Sequence, residues 1–351
     1  MSIFTYKNLY QAYLDCRKNK RKTINALKFE LDFERNLRIL LRDLVEKKYR
    51  PGRSICFAVD EPSLREIFAA DFRDRIVHHL LVREINNFFE RRFIFDSFAC
   101  RKGKGTHKSV KRLQEFVRST RKTNCYYGQF DIKSFFMSID HKILYDILEK
   151  NLRKGKEKGS FKKSREKLEE ILWLAKTIIF HRANENYSTK GDLELLAKIP
   201  PHKSLLRQNL PKGLPIGNYS SQFFANLYLN ELDQFVKRTL KCKKYVRYVD
   251  DFIILGKNSE ELKVLRNIVD DFLQEKLSLN LNFNKCKIQP IKNGIDFLGY
   301  FVKTDRIHTR RKVIKRYKNK LYRIAIGLEK TNMRSLLSMV HSYAGHFKHA
   351  R

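Results

Sequence analysis

Residues 243–256 read KKYVRYVDDFIILG and residues 124–140 read NCYYGQFDIKSFFMSID. In the first stretch Asp250 and Asp251 stand between two runs rich in β-branched and aromatic residues, the pattern of a β-hairpin with an acidic pair at its tip. In the second, aromatic residues lead into Asp131, which places a carboxylate at a strand end. Adjacent aspartates at a turn are ordinarily just good turn formers. Here hydrophobic strands flank them in a strongly basic chain, and carboxylates beside a buried sheet cost several kcal/mol unless a cation compensates them. A hard divalent ion such as Mg²⁺ suits oxygen ligands and accepts one or two carboxylates together with substrate phosphates. Two such ions about 3.5–4 Å apart activate a hydroxyl and steady a leaving pyrophosphate, which is nucleotidyl transfer.

The rest of the chain is consistent with a polyanionic partner. Its 351 residues carry 74 Lys and Arg against 38 Asp and Glu, a formal charge of +36. With 42% hydrophobic and 12% aromatic residues it can bury a core, which excludes a disordered basic tail. The longest apolar run, near Phe252-Ile253-Ile254-Leu255, is far short of the roughly 20 residues of a membrane helix. The N-terminus lacks the pattern of a secretory signal, so no membrane association and a cytoplasmic location are expected. Cys16, Cys56, Cys100, Cys125, Cys242 and Cys286 are widely spaced and read as reduced thiols. The spacing of His341, His346 and His349 fits no metal motif.

Working outward, residues 1–50 carry helical periodicity (Leu27, Leu31, Phe33, Leu37, Leu40, Leu41, Leu44) among many Lys and Arg, ended by Tyr49-Arg50-Pro51-Gly52. Residues 53–60 read as a strand, and helical spacing resumes from about Arg73. The loop RKGKGTHKSV from Arg101 feeds a helix running from about Ser109 to Val117 and could seat a phosphate, although its spacing is not that of a P-loop. The charged stretch from Asn151 to Leu168 reads as a surface linker within an insertion at about 150–210, followed by a helix over 168–180.

FDIKSFF and YVDD, in that order and separated by a glycine-bearing helix start, resemble the palm of reverse transcriptases, and GIDFLGY at 294–300 resembles the Phe-Leu-Gly element that follows their active-site hairpin. The resemblance runs from about Tyr49 to Tyr300, and SYAGHFKHAR at 342–351 is also similar. Most relatives carry Gln before the glycine of the segment Ile216-Gly217-Asn218-Tyr219-Ser220-Ser221-Gln222, and Pro after its serines. Ile216 and Gln222 instead resemble the reverse transcriptases of diversity-generating retroelements, error-prone enzymes that copy a template-repeat RNA and misincorporate opposite its adenines.

The resemblance implies an α+β chain with a right-hand polymerase fold: a basic helical extension over 1–50, fingers over 51–128, a palm over 129–304 with the insertion, and a short helical thumb over 305–351. It implies two Mg²⁺ ions on Asp131, Asp250, Asp251 and the Ile132 carbonyl, with Lys285 as general acid toward pyrophosphate. Arg65, Arg73 and Arg75 lie where fingers cations hold the triphosphate, with Arg73 and Asp74 open to the alternative of a structural ion pair. Phe136 falls where a bulky side chain excludes the 2′-hydroxyl. Gly217, Gln222 and Tyr248 complete the implied substrate contacts, and Ile216 is expected to loosen the pocket beside the templating base. The implied partners are template RNA and its cDNA, dNTPs, and a small basic oligomeric accessory protein. The basic runs at 17–22, 101–108, 153–167 and 309–320 would neutralise phosphates along the duplex. The short thumb argues against an intron maturase with an added module. A retron or phage-defence reverse transcriptase, or a silent RNA-binding scaffold on the same fold, are the alternatives.

Overall fold

The computed structural model describes residues 2–18, 23–61, 63–120, 125–208 and 211–350. The basic run at 17–22 therefore falls mostly outside the described residues. The chain divides into two compact units, each assembled from separated segments: Met1–Ile94, Ile132–Asp233 and Phe272–Asn280 in the first, and Phe95–Asp131, Gln234–Asp271 and Leu281–Arg351 in the second.

In chain order the elements are α1 (Tyr6–Arg17), α2 (Ile24–Leu31), α3 (Phe33–Val45), β1 (Ser54–Val59), β2 (Arg65–Ala69), α4 (Phe72–Glu90), α5 (Thr106–Arg118), β3 (Tyr126–Asp131), α6 (Phe135–Ser138), α7 (His141–Glu157), α8 (Arg165–Ile179), β4 (Tyr187–Thr189), α9 (Leu193–Ala197) and α10 (Tyr219–Gln234). There follow β5 (Tyr245–Tyr248), β6 (Asp251–Gly256), α11 (Ser259–Leu277), β7 (Lys287–Pro290), β8 (Ile295–Phe297), β9 (Tyr300–Val302), β10 (Ile307–Thr309), α12 (Arg311–Ala325) and α13 (Met333–Phe347).

The first unit packs helices around a three-stranded sheet in the order β2-β1-β4, with β1 antiparallel to β2 and parallel to β4. The expected helical periodicity of the N-terminal segment is interrupted at Asp32, whose backbone (φ −130°, ψ 57°) separates α2 from α3. Leu37, Leu40 and Leu44 are buried on α3, whereas Leu27 and Leu31 face solvent. Aromatic rings join these helices to α4: Tyr13 lies 4.5 Å from Phe33 and 6.2 Å from Phe72, and Phe29 lies 5.5 Å from Phe72.

The stretch from Asn151 to Leu168 is not a linker. Asp140 caps α7 by accepting from the Lys142 and Ile143 amides, and the helix continues to Glu157 because Leu144, Leu148 and Leu152 recur at four-residue spacing on its buried side. Gly155 closes the contact, since a Cβ there would lie 2.4 Å from the Phe88 ring. Ser164 then caps α8, leaving only a short connection in which Phe161 is itself buried. The charged residues that suggest a linker occupy the outward side, where Arg153 pairs with Glu149 and Glu169.

The second unit holds a four-stranded, wholly antiparallel sheet in the order β5-β6-β3-β7 and a small sheet β10-β9-β8. Their shared core includes Phe98, Val110, Leu113, Tyr127, Val246, Ile253, Phe297 and Tyr300, so α5 covers one face with the valine and leucine spacing the sequence predicts. The strands read from KKYVRYVDDFIILG form as a hairpin, and β3 lies central in the sheet, paired on both sides. Within the stretch expected to be helical from Asp305, β10 forms first, and α12 and α13 follow. All six cysteines are reduced thiols, outside any disulfide. Among the described residues no helix is long and apolar enough to cross a membrane.

Candidate active site

Asp131 is the last residue of β3, and its ladder partner on β6 is Asp251. Directly opposed residues of an antiparallel pair have Cα atoms about 4.5–5.5 Å apart, so two carboxylates distant in sequence converge at one sheet end. Tyr248 pairs with Asp251 across the hairpin, so only Val249 and Asp250 form its tip. Val249 adopts φ 57°, a left-handed conformation that a β-branched residue takes only when its surroundings enforce it. Two-residue hairpins demand such angles because they match the twist of the strands.

Two amides and an ammonium surround the acids. The Gln129 Nε2 donates to Asp251 Oδ1 at 3.3 Å, and the Asn282 Nδ2 donates to Asp131 Oδ2 at 3.3 Å. The Lys285 Nζ reaches the same Asp131 oxygen at 2.9 Å, and the Asn282 amide donates to the Asp131 carbonyl at 2.7 Å. Burial pushes the Asp251 carboxyl up to about 7, and the charges of Asp250 and Asp131 push the same way against the Gln129 hydrogen bond and the Lys285 ammonium.

These donors fit a hard divalent cation. A buried carboxyl that resists ionisation, as Asp251 does, gains from nearby positive charge, and the Lys285 ammonium already occupies one side of Asp131. Among the described residues no three His, Cys, Asp or Glu side chains close around a point tightly enough to hold an ion alone. Mg²⁺ keeps several waters and takes one or two carboxylates together with substrate phosphates.

Other expected residues divide between the units. Tyr248 belongs to the second, where the Thr106 hydroxyl donates to its phenol oxygen at 3.1 Å. Ile132, buried, opens the first unit immediately after Asp131. Also in the first unit, Phe136 and Ile216 lie partly buried against one apolar cluster of Cys56, Phe68, Met137, Ala183 and Leu205. The Phe68 amide donates to the Ile216 carbonyl at 2.8 Å, which fixes that main chain against β2. Gly217 has φ 122°, and a Cβ on it would lie 2.8 Å from Ile67 Cγ2 and 3.2 Å from the Phe68 oxygen, so the approach requires glycine. Gln222 is exposed on the first turn of α10.

The three arginines differ. Arg73 is held by Asp43 at 2.6 Å, lies 3.6 Å from Asp74 and sits over the Tyr49 ring, so an ion-pair network with Asp43 and Asp74 engages it. Arg75 donates to the Ala70 carbonyl at 2.8 Å. Arg65 is exposed and donates to Ser63 Oγ at 3.1 Å. Gln129, Asn282 and the fully buried Arg247 were not singled out from the sequence. The Gln and Asn were findable as polar residues two positions before Asp131 on the same strand and three before Lys285, whereas Arg247 reads as one more surface cation in a chain that has many.

A family model described as reverse transcriptase (RNA-dependent DNA polymerase) matches residues 60–302. The chain belongs to the reverse transcriptase family. It is accordingly an enzyme of the RNA-directed DNA polymerase class, and reverse transcriptases generally work with divalent ions, typically Mg²⁺. Protein YkfC of Escherichia coli is 23% identical over 299 residues, covering 75% of this chain and 70% of that protein. Nuclear intron maturase 1, mitochondrial, of Arabidopsis thaliana is 22% identical over 292 residues, covering 66% of this chain but 40% of its own length. Among solved structures, telomerase from Candida albicans in complex with a fragment of telomeric RNA superposes with a TM-score of 0.53 at 12% identity, over 80% of this reverse transcriptase and 52% of the telomerase chain. That likeness establishes the right-hand polymerase fold.

Proposed function

We propose that this reverse transcriptase serves a diversity-generating retroelement, copying template-repeat RNA into cDNA with errors concentrated at template adenines. The polymerase part of this reading rests on one observation, the ladder pairing of Asp131 with Asp251 beside Asp250 at a strained hairpin tip. In it, Asp131, Asp250, Asp251 and the Ile132 carbonyl hold two Mg²⁺. When bound, these ions ease deprotonation of the primer 3′-hydroxyl and neutralise the departing pyrophosphate. Lys285, on a flexible stem against Asp131, delivers a proton to that leaving group. Arg65 and Arg75 hold the triphosphate, with Arg73 bracing the segment through Asp43. Phe136 excludes the 2′-hydroxyl of ribonucleotides. Gln222 and Tyr248 contact nucleic acid, residues 1–50, 51–128, 129–304 and 305–351 act as extension, fingers, palm and thumb, and a basic accessory oligomer and the template RNA are the partners.

The retroelement part is supported by Ile216. Its main chain is pinned to β2 and its side chain shares an apolar cluster with Phe136, so a branched hydrocarbon stands where a polar group would report mismatches. Primer extension on a mixed-base RNA template with Mg²⁺ and dNTPs, followed by cDNA sequencing, tests both parts. Asp250→Ala is expected to abolish incorporation, and Ile216→Gln to lower errors opposite adenine. Errors spread evenly over the four bases would favour a retron or maturase-type enzyme, and no synthesis at all would favour a silent scaffold.

A further inference from the structure

Among the described residues Arg247 is the largest fully buried side chain, at 0% exposure. It lies on β5, the strand that leads into the acidic hairpin, and its guanidinium forks. One arm, Nη1, donates to the Val249 carbonyl at 2.9 Å, and the other, Nη2, donates to Ser97 Oγ at 3.0 Å. Its own main chain is clamped to the same segment, since the Arg247 amide donates to the Asp96 carbonyl and the Phe98 amide donates to the Arg247 carbonyl, both at 3.0 Å. That segment is itself anchored, because the buried Asp96 carboxylate pairs with Arg112 at 2.7 Å and Lys237 at 2.8 Å. The anchored end is therefore fixed and the other end holds the Val249 carbonyl, that of the one residue of the hairpin tip in a left-handed conformation.

We infer that Arg247 is a positioning residue of the polymerase site: by tying the Val249 carbonyl to Ser97, it holds the hairpin tip in the strained conformation that presents Asp250 and Asp251 to the metal ions. Burying a guanidinium is costly, and a neutral residue would fill the same core space without that cost, so the fork is explained by what it grips. A planar, two-armed donor can hold a carbonyl and a hydroxyl at a fixed separation, which a lysine ammonium cannot. The inference rests on the reading of Asp250 and Asp251 as metal ligands.

Full-length Arg247→Lys and Ser97→Ala, with Asp250→Ala as reference, test it. Mn²⁺ affinity is measured by calorimetry on the protein without nucleic acid, alongside the Mg²⁺ midpoint of primer extension, the dNTP KM at saturating Mg²⁺, and the melting temperature. The expected result for Arg247→Lys is a loss of Mn²⁺ affinity and an upward shift of the Mg²⁺ midpoint of roughly 10- to 100-fold, with dNTP KM unchanged. Ser97→Ala, a smaller change that preserves the core, is expected to move both in the same direction by less, and it decides the matter if Arg247→Lys does not fold. Melting temperatures that fall while the Mn²⁺ affinity and Mg²⁺ midpoint stay at their original values would assign Arg247 to stability alone and overturn the inference. If Asp250→Ala itself keeps Mn²⁺ binding and activity, the metal reading fails, and this inference fails with it.

Discussion

Asp251 concentrates the electrostatics of the site in one carboxyl. Its ordinary value near 3.8 is raised to about 7, first by burial and then by Asp250 and Asp131. A carboxyl whose pKa rises on folding binds a proton more readily in the native state, so its contribution to stability is full at low pH and is lost as pH climbs from about 4 to about 7. In the absence of divalent ions the melting temperature is expected to fall across that window. Mg²⁺ binds the ionised form, so the stabilisation it gives should grow over the same range, and Asp251→Asn should flatten both trends. Melts with and without Mg²⁺ from about pH 5 to pH 8 check this, and a Mg²⁺ effect that does not vary with pH would contradict it. Glu66 makes a contrasting case: a carboxylate 1% exposed that accepts from Ser204 Oγ and the Leu205 and Leu206 amides. Glu66→Ala would strand those donors, and urea titration is expected to register a loss of about 2 kcal/mol or more.

At the scale of elements, the decisive joint is the one between β2 and the start of α10. Gly217→Ala must place a methyl against Ile67 and the Phe68 carbonyl in a backbone region that side chains rarely adopt. It is expected to destabilise the first unit by about 1–3 kcal/mol and to disturb Ile216 and Phe136 together, read as a lower melting temperature with altered base and sugar selectivity. The hairpin, the strand ending on Asp131 and the helix after RKGKG were legible in the sequence because each is fixed by local pattern: alternation, a turn, or apolar spacing. The continuation of α7 past Asn151 was not, since Lys154, Lys156 and Glu157 dominate the composition while Leu148 and Leu152 alone carry the period. The ion pair of Arg73 with Asp74 was legible as an alternative, but its closer partner Asp43, on another helix thirty residues earlier, was not. Pairings between distant segments leave no trace in local spacing, which is why the grip of Arg247 on Ser97 was not legible, whereas Gln129 and Asn282 lie within three residues of Asp131 and Lys285 in the sequence.

For the molecule as a whole, charge governs behaviour toward nucleic acid. With +36 formal charges and basic stretches such as α12, affinity for an RNA and cDNA duplex should be steeply dependent on salt. If six to ten phosphates are neutralised, the slope of log affinity against log salt is expected to be about −5 to −9, measurable by fluorescence anisotropy. A slope near about −1 would mean that most of these cations play no part in binding.

The sheet that carries the acids is gathered from three stretches of the polypeptide, with β3 receiving β6 from some 120 residues later and β7 from some 160 later. During synthesis on the ribosome, Asp131 therefore emerges long before either neighbouring strand exists, and its sheet stays open until Pro290 has cleared the exit tunnel. A truncated product released at any earlier codon would hold one acid without its ladder partner, or the pair without its flanking strand.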